Sequence, residues 1–197
     1  MLYKKLLALE HIKRWNHHPS IRVQNVAAHS YNVAMITAIL SRHILKLNAE
    51  DTWNQVWIAL RHDFSESVTG DISPLVKRFA DWEEVEERAN IEAAQISAHS
   101  DLNELFVLCS DMPPIVKLAD YLDAWLFART EAAIGNRMFM AIRDELTKKI
   151  QDLVPMVTRE TDSGLTIGQL YEVLSSMFAY DFANASTKDL PEGMSHV

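Results

Sequence analysis

Residues 25–47 read NVAAHSYNVAMITAILSRHILKL, and the spacing of apolar side chains in this stretch decides the fold class. Val26, Val33, Ile36, Ala38, Leu40 and Ile44 form a broad apolar face at helical period, over a length no ordinary strand reaches. The spacing predicts a long helix from about Asn25 to Leu47. Upstream, Leu2, Leu6, Leu9 and Ile12 fall on one stripe and predict a helix over 2–15, after which Pro19 interrupts the polar run NHHPS. Downstream, Asp51 or Thr52 is placed to cap a helix TWNQVWIALRHDF, because a short side-chain oxygen there satisfies free backbone N–H groups. The stretch SESVTGDISP is loop-like, punctuated by Gly70 and Pro74. A glutamate-rich helix, DWEEVEERANIEAAQ, follows with its acidic run as a solvated face. Pro113-Pro114 ends one element and starts IVKLADYLDAWLFARTEAA, which Gly135 stops. Two more helices, MFMAIRDELTKKIQDLV and IGQLYEVLSSMFAYDFANA, precede a polar tail. The reading is all-α: one helical domain over 1–197, without repeats, linkers or strand signals.

Composition agrees. A chain of 197 residues has the size of one ordinary domain and can bury a core. With 48% hydrophobic and 23% charged residues it falls among globular proteins, and 5 glycines and 6 prolines leave little material for a turn-rich β fold. A formal charge of −8 argues against a nucleic-acid polymer as partner, since such binders need a basic footprint. A single nucleotide phosphate is still within reach of a metal and a few local cations. The one cysteine, Cys109 in the apolar run LFVLC, excludes an intramolecular disulfide and a Cys-rich zinc site, and reads as a buried inert thiol. Neither a signal-peptide pattern nor an apolar stretch of about 18 residues is present, so no membrane partner and a cytoplasmic location are expected.

Gly-rich phosphate loops, H-E-x-x-H and G-x-S-x-G are all missing. What stands out is His62-Asp63, a polar pair closing a segment in which Val56, Ile58, Ala59 and Leu60 are apolar. Buried charge is costly when unpaired, and a bound cation is one of the few ways to stabilise it. Glu66 lies four residues beyond His62 and three beyond Asp63, on the same face if the helix continues. His29, among Ala27, Ala28 and Val33, would alone read as a core histidine. Asp120, with Lys117 one turn earlier, would alone read as half of a local ion pair. Together, two imidazoles and two carboxylates from three helices make a mixed N/O set suited to Mn²⁺, Co²⁺, Fe²⁺ or Zn²⁺.

The order His29, His62-Asp63, Asp120 resembles the HD-domain metal-dependent phosphohydrolases, and more narrowly the bacterial 5′-deoxynucleotidases of the YfbR-like kind and their phage dATP triphosphohydrolase relatives. The matching stretches are KRW at 13–15, NVAAHSYNVAM at 25–35, RHDFSESVTGDISPLVK at 61–77 and IVKLADYLDAWLFARTEAAIGN at 115–136. The resemblance implies an HD-type helical bundle with His29, His62, Asp63 and Asp120 as ligands of a divalent cation, Co²⁺ or Mn²⁺ first, with Zn²⁺ and Mg²⁺ also compatible. It implies that Glu66 handles the proton of the attacking water and that Asp71 is a second carboxylate at the phosphate. Arg14 would hold the phosphate as a guanidinium fork with Lys77 nearby. Trp15, Ile21 and residues Asp71, Ile72, Ser73 and Pro74 would line the substrate. An indole at position 15 offers the sugar a flat apolar wall and one N–H donor, which would favour deoxyribose. The implied reaction converts a deoxynucleoside 5′-monophosphate to deoxynucleoside and phosphate; the alternative is triphosphate release from a deoxynucleoside triphosphate, dATP in particular. A decayed, non-catalytic nucleotide-binding module is a third reading, which the intact ligand set opposes. Where the family commonly carries a glutamate before the first metal histidine, this chain has Ala28, so a contact orienting His29 is expected to be lost or replaced.

Other residues read more plainly. Trp53, Trp57, Trp82 and Trp125 are expected in the core or at an interface, and His17 and His18 in a solvated loop beside Trp15. The motifs lie within 12–136, which leaves 137–185 for packing or dimerisation. The apolar residues Met138, Phe139, Met140, Ile142, Leu170, Leu174, Met177 and Phe178 suggest a homodimer or higher homo-oligomer.

Overall fold

The computed structural model describes residues 2–79, 81–94, 112–160, 166–180 and 182–183. Helices α1 (Leu2–His11), α2 (Val26–Ile39), α3 (Ala49–Arg61), α4 (Glu66–Thr69), α5 (Pro74–Lys77), α6 (Trp82–Ala94), α7 (Pro114–Ala133), α8 (Met138–Glu160) and α9 (Ile167–Phe178) make up the described fold. Among the described residues no strand forms, and the only β pairing is an isolated antiparallel bridge between Lys13 and Asn25. The chain is all-α.

Two central helices position everything else. On α2 the side chains of Val26, His29, Val33, Ala34 and Ile36 are buried, and the helix ends in a π-turn over Leu40–Ile44. Asn25 caps it, its side chain accepting from the Ala28 N–H at 2.8 Å. On α7, Leu118, Leu122 and Trp125 are wholly enclosed, and Pro114 occupies its first turn, where a missing N–H costs nothing. α3 packs on α2, and α8 packs on α7. The Trp125 indole donates to Thr147 of α8 at 3.0 Å.

Several boundaries differ from the sequence expectation, among them the end of α3, at Arg61 rather than Phe64, and of α2, whose α-helix gives way to the π-turn at Leu40. α1 stops at His11 rather than Trp15, because residues 12–14 leave the helix to pair with 24–26: Val26 N–H donates to Ile12 O at 3.0 Å and Arg14 N–H to Gln24 O at 2.9 Å. Asn48, not Asp51 or Thr52, caps α3, its side chain accepting from Asp51 N–H at 2.8 Å, so the helix starts a turn earlier. α8 runs to Glu160, through Pro155, where sequence predicts an end at Val154. α9 ends at Phe178 because Ala179 turns left-handed, at φ 47°. Cys109 and the distal part of the expected last helix lie outside the described residues. Trp125 joins the core, whereas Trp53 is exposed and stacks on Trp57 at 6.3 Å.

Candidate metal and phosphate site

The sequence brings His62 to the end of α3, where the backbone turns toward α4, and His29 to the inner face of α2. The His29 side chain is 0% exposed. Its Nδ1 lies 2.6 Å from Asp123 Oδ2, while Nδ1 of His62 lies 2.7 Å from Ala59 O. Both partners only accept, so each ring carries its proton on Nδ1 and turns Nε2 inward. The two Nε2 atoms stand 3.2 Å apart. Asp63 Oδ2 is 3.4 Å from His29 Nε2 and 3.2 Å from His62 Nε2, and Asp120 Oδ1 is 3.3 Å from His29 Nε2. Two nitrogen lone pairs cannot face each other at that distance with nothing between them. A proton or a cation has to sit there.

The donor set fits a metal. Ligands about 2.0–2.1 Å from a tetrahedral cation stand about 3.3 Å from one another, close to these separations. His29, His62 and Asp63 present ligand atoms within 4.8 Å of one another, and Asp120 approaches from the His29 side. Electrostatics agree. Burial and the Arg14 guanidinium both act to lower the His29 pKa, yet hydrogen bonds to Asp120, Asp123 and Asp63 push it up to about 10. Burial works against the charge of Asp63, but His62, His29 and Arg14 hold its carboxyl well below the usual carboxylate range. Asp120 is likewise held low against burial, chiefly by Lys117, whose Nζ is 2.9 Å from Asp120 Oδ2. The Lys–Asp pair that sequence offered as the plain reading of Asp120 therefore exists, and it uses only one carboxylate oxygen.

Other residues gather at this centre. Arg14 Nη1 donates to Asp63 Oδ2 at 2.8 Å, and its buried Nε has no hydrogen-bond partner. Glu66, at the start of α4, has an unpartnered buried Oε2. Burial, then the charges of Asp63 and Asp71, push its carboxyl up to about 9. Gly70 takes φ 72°, a left-handed conformation that suits glycine, and turns the chain so that Asp71 Oδ2 accepts the Trp15 N–H at 3.1 Å. A small cavity between these elements is lined by Asp63, Glu66, Ile72 and Lys77, with Lys77 Nζ 4.9 Å from the centre of the Trp82 ring. Ser73 lies buried with its hydroxyl accepting from Val76 N–H, a cap on α5 rather than a wall of that cavity; the Pro74 side chain lies outside the described residues.

Trp15 differs from its expected role in one respect. Its indole N–H is not free for a ligand: it donates to Gln24 Oε1 at 3.0 Å. The ring stacks on Phe127 at 5.3 Å and 8°, with Phe139 edge-on. His18 packs on Trp15 and Phe139 and is half-buried, whereas His17 is exposed.

Asp123 escaped the sequence reading. It accepts from His29, from Gln24 Nε2 at 2.7 Å and from Asn32 Nδ2 at 2.9 Å, and so fixes the ring that carries Nε2 inward. The signal was its spacing, one helical turn beyond Asp120 on the same face of α7. Ala28 is exposed and its side chain offers His29 no hydrogen bond; the ring is oriented by Asp123.

A helical bundle in which an H…HD…D set converges on one centre defines a phosphohydrolase of the HD-domain type. Structures of that class are similar. An HD-domain phosphohydrolase from Listeria innocua superposes with TM-score 0.69 at 23% identity, over 91% of this chain and 89% of that one. A cyanophage S-2L HD phosphohydrolase, bound to dA and one catalytic Zn²⁺ ion, superposes with TM-score 0.60 at 22% identity, over 88% and 92%. More narrowly, residues 1–160 match the family described as 5′-deoxynucleotidase YfbR-like, and the chain belongs to it. Relatives include a 5′-deoxynucleotidase of Enterobacter sp. strain 638, 30% identical over 76% of this chain and 81% of its own length. The 5′-deoxynucleotidase YfbR of Salmonella typhi is 32% identical over the same shares.

Proposed function

We propose that this chain hydrolyses deoxynucleoside 5′-monophosphates to deoxynucleoside and phosphate, with a divalent cation held by His29, His62, Asp63 and Asp120. The observation that carries the reading is the pair of inward Nε2 atoms 3.2 Å apart, flanked by two ionised carboxylates and by Arg14 and Glu66. When bound, the cation supplies Lewis acidity toward the phosphoryl group and neutralises its charge. Co²⁺ or Mn²⁺ heads the list of suitable ions, with Zn²⁺ and Mg²⁺ behind.

The chain's own residues do the rest. Arg14 holds the phosphate; its unpartnered Nε is a donor ready for an anionic oxygen. Glu66, raised by burial and by the Asp63 charge, would be ionised once a cation offsets that charge. Its unpartnered Oε2 would take the proton of the attacking water as the water oxygen bonds to phosphorus; that proton passes to the 5′ oxygen as its bond to phosphorus breaks. Asp71, joined to the Trp15 backbone, holds the water and the Arg14–Trp15 edge in register. Lys77 adds positive charge beside Glu66. Trp15, Ile21 and Ile72 shape the sugar position. The protein acts in the cytoplasm and as a homodimer. Among the described residues, no helix is long and apolar enough to cross a membrane.

The test is product analysis by chromatography after incubation with dAMP, dATP and AMP plus Mn²⁺ or Co²⁺. Deoxyadenosine and phosphate from dAMP are expected, and Glu66→Gln should lose about 10²-fold or more of the rate while keeping its metal. Triphosphate from dATP with dAMP untouched would replace this reading with the triphosphohydrolase one. No turnover of any substrate by the metal-loaded protein would leave only a binding module.

A further inference from the structure

One buried carboxylate takes no part in the reaction as derived. Glu131, near the end of α7, is 0% exposed, and the groups that donate to it are backbone and amide N–H rather than charged side chains, with the Arg22 charge acting only through space. Its Oε2 accepts from Ile21 N–H at 2.7 Å and its Oε1 from Arg22 N–H at 2.7 Å. Asn136 Nδ2 donates to Oε2 at 2.8 Å and to Pro19 O at 2.8 Å. Burial pushes the carboxyl up, but these donors outweigh it and hold Glu131 below its ordinary value, so it is ionised at neutral pH. Enclosing an ionised carboxylate is costly unless its oxygens are satisfied, and here every named donor belongs to 19–22 or braces it.

What is held matters as much as how. Residues 12–14 pair with 24–26, so 16–23 is the tip of an excursion whose base carries Arg14 and, next to it, Trp15. Trp15 leaves that base at φ 64°, with its N–H on Asp71. The tip returns along one face of α7: Asp120 at the metal centre, Asp123 on His29, Phe127 under both Trp15 and the Arg22 guanidinium, and Glu131 on the backbone of 21–22. Ile21 has its N–H fixed by a buried charge while its side chain stays 63% exposed. An apolar side chain locked in place without joining the core suits contact with something outside the chain. We propose that Glu131, braced by Asn136, is a positioning residue that sets substrate selection by fixing the 19–22 segment against the Arg14–Trp15 edge. The inference rests on the deoxynucleotidase reading and adds a selectivity residue remote from the metal.

The test compares wild type, Glu131→Gln, Glu131→Asp and Asn136→Ala, each metal-loaded, in steady-state hydrolysis of dAMP and AMP, with metal content and Tm measured alongside. Glutamine keeps one acceptor and turns an amide NH₂ toward the other backbone N–H. Glu131→Gln should raise KM for dAMP about tenfold and shrink the dAMP-over-AMP preference, with kcat falling no more than about threefold and metal content equal to wild type. Glu131→Asp, which keeps the charge, should restore part of the loss. Asn136→Ala should shift KM in the same direction by less, and it carries the test if Glu131→Gln does not fold. Wild-type KM and preference in the folded variants would overturn the positioning role, as would kcat and metal content falling together at unchanged KM. A wild type inactive on dAMP would instead defeat the deoxynucleotidase reading itself, an outcome separate from an active wild type with unaffected variants.

Discussion

At the scale of single residues, the metal-free centre is a competition between a proton and a cation. His29 is raised to about 10, so without metal it carries the proton that its facing nitrogens demand. A cation needs the unprotonated ring. As pH falls below about 10, apparent metal affinity should therefore drop by up to about tenfold per unit, with a proton released on binding. Calorimetry in two buffers of different ionisation enthalpy should show that release; identical heats would count against it. In the same metal-free state, the raised pKa adds stability that is fully present below the unfolded value of about 6.5 and lost as pH rises through about 10. Asp123→Ala should weaken metal binding about 10- to 100-fold, because the ring it orients is set free. Trp15 governs a second expectation. With its N–H spent on Gln24 and its ring stacked on Phe127, it offers a 2′-hydroxyl no partner. Leaving that hydroxyl unpaired costs about 1–3 kcal/mol, or about 5- to 150-fold in relative kcat/KM for dAMP over AMP. Trp15→Ala should narrow the ratio, and a ratio left unchanged would clear Trp15 of the role. Sequence reached the four candidate ligands because each is a polar intrusion in an apolar helix or belongs to a recognisable order. Asp123 and Glu131 stayed hidden because their partners come from distant segments: the spacing of Asp123 from Asp120 put it on the right face of α7, but it did not show that a ring waited there, and Glu131 carried no such cue.

At the scale of elements, the long helices were legible, but their ends were not, nor were the short α4 and α5, which lie in and just after the SESVTGDISP stretch that reads as loop. Periodicity reports which face is buried, whereas ends depend on which of several competent residues the tertiary structure uses. Asn48 and Asp51 both suit a cap, and their side chains bond to each other at 2.6 Å, so local chemistry alone could not choose between them. Pro155 is the sharper case. Proline lacks the N–H that would bond the carbonyl four residues earlier, and so predicts a stop near Val154. The orphaned acceptor is Gln151 O, and Tyr171 of α9 donates its hydroxyl to that carbonyl at 3.1 Å. A side chain 20 positions away completes the bond, and the helix continues to Glu160. Tyr171→Phe removes the donor and leaves the carbonyl bare. A loss of about 1 kcal/mol is expected, which for a chain of this length lowers Tm by about 2–4 °C. An unchanged Tm in thermal unfolding would mean that the hydroxyl is not what carries α8 through its proline.

At the scale of the whole molecule, the expectation of surplus apolar surface after Gly135 was too generous. Phe139, Leu170 and Leu174 are buried within this chain, and Ile142 and Phe178 pack against the same core, which leaves Met138 and Met177 exposed and Met140 half-buried. The homodimer thus has to be measured, and light scattering should return about twice 22.5 kDa at micromolar concentration. A mass of one chain would remove it. The candidate ligands have a larger consequence. His29 is on α2, His62 and Asp63 follow α3, and Asp120 is on α7, so a cation held by these residues would join three elements. Binding to the folded state alone stabilises it by mass action, about 2.7 kcal/mol when free metal stands at 100 times Kd. At about 2–4 °C per kcal/mol, metal-loaded protein should melt about 5–10 °C above protein stripped with a chelator. Asp63→Ala, lacking a ligand, should melt at the same temperature with or without added Mn²⁺ or Co²⁺. If that variant responds to metal as wild type does, the cation binds elsewhere and the three-helix centre is not its site.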